Sequence, residues 1–121
     1  MREIKFRAWD GEQMIAPCNL WDRDDSPIEW LNNLPYPDSI LMQYTGLKDK
    51  NGKEIYERDL FWWNWLGSPI LREVEFHNGC FIGRDIEHIV PMEHLGDFPL
   101  KEIEVIGNIY ENPELLKETK G

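Results

Sequence analysis

A chain of 121 residues has the length of one domain, which excludes a multi-domain enzyme. With 41% hydrophobic and 30% charged residues it matches ordinary globular usage and can build a core instead of staying disordered. Thirteen Lys and Arg against 23 Asp and Glu leave a net charge of −10, spread along the chain, and such a surface repels a phosphate backbone, so direct nucleic-acid binding is disfavoured.

At the N-terminus, MREIKFRAWD has no apolar signal core, and no run approaches the roughly 20 apolar residues that span a bilayer, so a cytosolic protein without a membrane partner is expected. Residues 3–9 alternate, with Ile4, Phe6 and Ala8 on one side and Glu3, Lys5, Arg7 and Trp9 on the other, which predicts a half-buried strand. Asp10-Gly11 supplies a turn. A poorly patterned, Asp-rich stretch leads to Ser26-Pro27-Ile28-Glu29, a capping box with Pro at the first helical position, predicting a short helix to about Asn33 that Pro35 and Pro37 cannot continue.

Residues 40–44 form the next strand, and Asn51-Gly52 predicts a tight hairpin turn. In LFWWNWL, residues 60–66, Leu60, Trp62 and Leu66 share one face of a strand while Phe61, Trp63 and Trp65 take the other, so both faces are apolar and both need cover. Gly67-Ser68-Pro69 breaks the chain, residues 70–76 resume alternation with Ile70, Val74 and Phe76 opposite Glu73 and Glu75, and Asn78-Gly79 predicts a second hairpin turn. CFIG and IEHIV read as short strands, a loop runs through Pro91 and Pro99, residues 102–110 form the last strand, and Asn112-Pro113-Glu114 starts a helical turn. Short strands with Gly-rich turns about ten residues apart predict a mainly β protein, a small antiparallel sandwich or barrel centred on residues 54–110.

The chemistry-bearing residues are sparse. Cys18 and Cys80 are too few for a disulfide framework. His77, Cys80, His88 and His94 cluster in sequence, yet only His77 and Cys80 approximate half of a zinc site, and they read as incidental strand histidines. Asp24 with Asp25, and Glu73 with Glu75, are carboxylate pairs without a visible cleft and read as solvated faces. Two basic clusters, Arg2, Lys5 and Arg7, then Lys48, Lys50 and Lys53, read as strand and turn charges. No nucleophile-elbow, P-loop or dinucleotide pattern occurs, so no cofactor or metal is expected.

REIKFRAWD at the start, LMQYTGLKDKNGKEIYERDL in the middle and EVIGNIYENPELL near the end closely resemble, in order and spacing, the YopX family of phage and prophage proteins. The resemblance implies an N-terminal extension over 1–46, an SH3-like β-barrel over 47–112, a tail over 113–121, and expression in the bacterial cytoplasm, with no particular activity. It also implies a glycine within the block that here reads Glu57-Arg58-Asp59. If that glycine serves a left-handed backbone, Arg58 carries strain of about 1 kcal/mol or more.

The functional expectation is a non-enzymatic accessory protein that binds protein partners and itself as a homo-oligomer. Phe61, Trp62, Trp63 and Trp65 are the interface candidates, since a domain this small has little interior to enclose both sides of such a strand. Two alternatives stand beside it: an acidic mimic of nucleic acid that occupies a host DNA-binding protein, and a small metal-dependent enzyme using carboxylates and histidines.

Overall fold

The computed structural model describes residues 4–19, 27–32, 34, 39–87 and 93–118. Among the described residues there are two antiparallel sheets and two short helices. The strands are β1 (Lys5–Trp9), β2 (Met14–Asn19), β3 (Ile40–Lys48), β4 (Glu54–Tyr56), β5 (Asp59–Trp65), β6 (Ser68–His77), β7 (Cys80–Asp85), β8 (Glu93–His94) and β9 (Val105–Asn108). The helices are α1 (Pro27–Asn32), with Pro at its first position as expected, and α2 (Glu114–Glu118), while Leu95–Asp97 form a 3-10 turn.

One sheet has the order β2-β1-β3-β4 and the other β8-β7-β6-β5-β9. β3 serves two neighbours in turn. Its first half pairs with β1, Phe6 opposite Gln43 and Trp9 opposite Ile40, and its second half pairs with β4, Tyr44 opposite Tyr56 and Lys48 opposite Glu54. The register shifts between these last two pairs, around Gly46 at φ 87°.

The expectation of a mainly β protein holds, and barrel closure is absent among the described residues. β2 and β4 border the first sheet, β8 and β9 the second. The physical reason lies in β3 and β4: this hairpin joins β1, so segments on both sides of residue 46 build one sheet.

Three hairpins fix the register between β3 and β7. Asn51-Gly52 turns β3 into β4 with Gly52 at φ 78°, and Asn78-Gly79 turns β6 into β7 with both residues left-handed, the geometry that matches strand twist. Between β5 and β6 the turn is Leu66-Gly67, with Leu66 at φ 51°; Ser68 and Pro69 do not end the structure but open β6 opposite Trp65 and Asn64. Leu66 therefore lies outside β5 and does not share its face.

The core lies on one face of the second sheet. Phe61 and Val74 meet Leu95, Phe98 and Ile103 from the 95–103 segment, Val105 from β9 and Ile55 from β4, all buried. Phe61 and Phe98 pack edge to face at 5.2 Å. A Cβ placed on Gly83 would come within 2.8 Å of the Phe98 ring and 2.9 Å of the Phe61 ring, so the two aromatics close directly on the β7 backbone.

Candidate interaction site

β5 presents its aromatics unequally. Phe61 is wholly inside, Trp63 is half-buried against the core, and Trp62, opposite Leu71, is 37% exposed. The side chain of Trp65 lies outside the described residues. Leu60 and Phe61 point to opposite faces and both are buried, so the first half of β5 is covered on both sides within one molecule. Solvent meets the hairpin at Trp62 and at Leu66, which is 90% exposed.

A second cluster, with charged groups in the interior, sits where the chain passes from the first sheet to the second. Tyr56 ends β4 and Asp59 begins β5, leaving Glu57-Arg58 as the corner. Glu57 belongs to the first sheet: its N–H donates to Gln43 O at 3.0 Å, and its Oε1 accepts the Gln43 N–H at 2.7 Å. Arg58 belongs to the second: its N–H donates to Val74 O at 2.8 Å, and its carbonyl accepts the Ile109 N–H at 3.2 Å. At φ 73° Arg58 is left-handed, the conformation that the family's glycine would serve. Its guanidinium reaches Glu73 at 2.7 Å and Glu75 at 3.5 Å, and Arg84 also bonds Glu75. These two acids are therefore paired, not merely solvated. Burial pushes the Glu73 carboxyl up against the pull of Arg58.

Arg7 enters the corner from β1. It donates through Nη2 to Asp59 Oδ1 at 2.8 Å and to Glu57 O at 3.2 Å, and its guanidinium lies over the Tyr56 ring at 4.7 Å. Asp59 Oδ2 accepts the Tyr56 N–H at 2.8 Å, and burial pushes the Asp59 carboxyl up despite Arg7 and that bond. Alternation places Arg7 on the charged side of β1, and the structure buries it. Asp49 makes a parallel joint. Oδ1 accepts the N–H groups of Asn51 and Lys53 at 2.9 and 3.0 Å, and Oδ2 accepts the Val105 N–H at 2.9 Å, tying the β3–β4 turn to β9. Burial pushes the Asp49 carboxyl up, but the three N–H donors and the Lys53 charge outweigh it and hold the group below the usual range. Trp9 of β1 stacks on Tyr110 at 5.7 Å. Arg7–Asp59 and Asp49–Val105 escape sequence reading because partners 52 and 56 residues apart leave no spacing signature. Only the Asp49-x-Asn51 arrangement carries a local hint, an Asx turn.

Arg72 is fully buried on β6, opposite Phe61 and Asp85 in register, 5.4 Å from the Phe98 ring and 3.3 Å from Glu93. The remaining sequence candidates do not converge. His77 and Cys80 face each other in register, and Cys80 and His94 both line a groove of about 510 Å³ with Phe76 and Phe81. Among the described residues no three His, Cys, Asp or Glu side chains are placed to hold a metal ion. His88 and the Asp24-Asp25 pair lie outside the described residues. Cys18 is buried on β2 opposite Phe6, far in register from Cys80.

Fold and corner together define a small two-sheet β protein whose sheets are joined through buried charges. The chain belongs to the YopX protein family, whose model matches residues 17–117. The family match takes in the middle and last of the three sequence blocks, while REIKFRAWD precedes it. The chain is 29% identical, over 95% of its length and 97% of the relative's, to the SPbeta prophage-derived uncharacterized protein YopX of Bacillus subtilis strain 168. The crystal structure of protein EF1440 from Enterococcus faecalis is 28% identical with a TM-score of 0.55, covering 93% of this chain and 97% of that one. The X-ray structure of Bacillus subtilis yopX gives the same identity and TM-score, with 93% and 95% covered. Among the described residues no helix is long and apolar enough to cross a membrane.

Proposed function

We propose that this chain is a non-enzymatic phage accessory protein of the bacterial cytoplasm that works by binding itself and other proteins through the β5–β6 hairpin. One observation carries the reading: Trp62 is 37% exposed on a hairpin whose turn residue, Leu66, is 90% exposed. A tryptophan held on a paired strand loses little freedom on contact and brings a large apolar surface, which is why tryptophan is enriched among interface anchors. The prophage origin of the Bacillus subtilis relative supports the phage setting.

Sedimentation velocity over a concentration series tests it. The protein should form a larger particle as concentration rises, and Trp62→Ala or Leu66→Asn should return it to a single subunit with its melting temperature kept. Trp63→Ala, which removes a side chain packed on the core, should instead lower stability. A wild-type protein that stays a single subunit throughout sinks self-association.

A further inference from the structure

We infer that two copies of this chain join edge to edge through β5, antiparallel about a two-fold axis at Asn64, so that their second sheets become one continuous sheet. The inference rests on the self-association proposed above and names the surface that carries it.

β5 runs past its neighbour. β9 pairs with β5 only at Asp59, Leu60 and Phe61, and among the described residues no other strand borders Trp62–Trp65 on that side. The backbone groups of Asn64 face this open border. Ile86 N–H donates to Leu71 O at 3.1 Å, which turns the backbone groups of Leu71, and with them those of Pro69, toward the β7 side of β6. Pro69 stands opposite Asn64 in register, so this pair exchanges no hydrogen bond, and the N–H and C=O of Asn64 point away from β6. Asn64 is exposed, so a second chain can reach both groups.

An open edge is a template for strand pairing, and proteins blunt the edges that must stay single. The border strands are blunted here. β2 contains Pro17, and its Ala16 carbonyl accepts the Trp30 Nε1–H at 3.0 Å. β4 has three residues and β8 two. On β9 the Val105 N–H is taken by Asp49 and the Asn108 N–H by Asn112. The far edge of β6 carries Pro69, which has no N–H to offer. The end of β5 has none of these devices, and no charged residue occurs from Leu60 to Leu71 in a chain of net charge −10. Two copies can meet at this stretch without the repulsion that the rest of an acidic surface imposes.

Symmetry makes a second copy the occupant. Identical antiparallel segments satisfy each other: the Asn64 N–H of each copy donates to the Asn64 C=O of the other. The same register sets Trp62 of one copy across from Leu66 of the other on one face, so the two exposed apolar side chains cover each other.

Hydrogen exchange of the Asn64 amide, measured at low and high concentrations of the full-length protein, tests this together with sedimentation of Asn64→Pro. The amide should exchange slower by about tenfold or more in the concentrated sample. Asn64→Pro, which removes an outward N–H at a sheet edge, should sediment as a single subunit with its melting temperature kept. A wild-type protein that associates while its Asn64 amide exchanges at an unchanged rate overturns edge pairing and leaves self-association standing, and so does an Asn64→Pro variant that associates as the wild type does. A wild-type protein that stays a single subunit overturns both readings. Should Asn64→Pro melt early, the exchange of the wild-type amide decides alone.

Discussion

Arg58 holds a left-handed backbone because the corner demands it: its N–H must meet Val74 and its carbonyl must meet Ile109, whatever side chain it carries. The side chain offsets part of that strain through Glu73 and Glu75. Arg58→Ala loses those ion pairs and keeps the strain, whereas Arg58→Gly loses the pairs and releases it, so denaturant melts should find the glycine variant more stable than the alanine variant by about 1 kcal/mol. Equal stability would mean that the corner carries no such strain. Asp49 gives a pH signature. Its carboxylate is held below the ordinary value near 3.9, so its contribution is complete above that pH and is lost as pH falls through the folded-state value. Asp49→Asn should therefore be less stable at neutral pH, and its melting temperature should fall less than that of the wild type on acidification below about pH 4. At this scale sequence reading reached Arg58, through the glycine expected there. It could not reach Asp49 or Arg7, whose distant partners are set by the folded chain.

Elements were legible where their signal was local. Asn51-Gly52 and Asn78-Gly79 turn the strands they were expected to turn, since the required backbone is encoded in the two residues themselves. β2 was missed because Pro17 and the short apolar run around it carry no alternation, and a strand at a sheet border tolerates the proline. The strand expected over 86–90 gives way to a turn at Ile86-Glu87, and its remainder lies outside the described residues. β9 is shorter than its pattern suggests because Asn108 ends it: Oδ1 accepts the N–H groups of Tyr110 and Glu111 at 3.0 and 2.8 Å and bends the chain toward α2. β7 supplies a test of packing at this scale. Gly83→Ala forces a methyl group against Phe61 and Phe98, and should cost about 1–3 kcal/mol in a denaturant melt. A neutral result would show that the rings can retreat from the strand.

For the whole molecule, the decisive contact is the one between sheets. Arg7→Met strands a buried Asp59 carboxylate and should cost about 3–5 kcal/mol, while Arg7→Met with Asp59→Asn removes both charges, keeps an oxygen for the Tyr56 N–H and should recover most of that loss. Additive losses in this cycle would show that the pair does not act as a unit. The mainly β class followed from strand spacing, but the partition into two open sheets did not, because the pattern of β3 fits either neighbour and pairing with β1 is settled only in three dimensions. The order of the strands also has a consequence during synthesis. Every strand of the first sheet precedes residue 57, so that sheet can assemble while the remainder is still on the ribosome. β5 must wait for β9, among the last strands to emerge, and until then one whole backbone edge of a tryptophan-rich ribbon stands bare. A stalled or clipped chain ending before Val105 would be the sticky form of this protein, and nascent copies on neighbouring ribosomes would be its first targets.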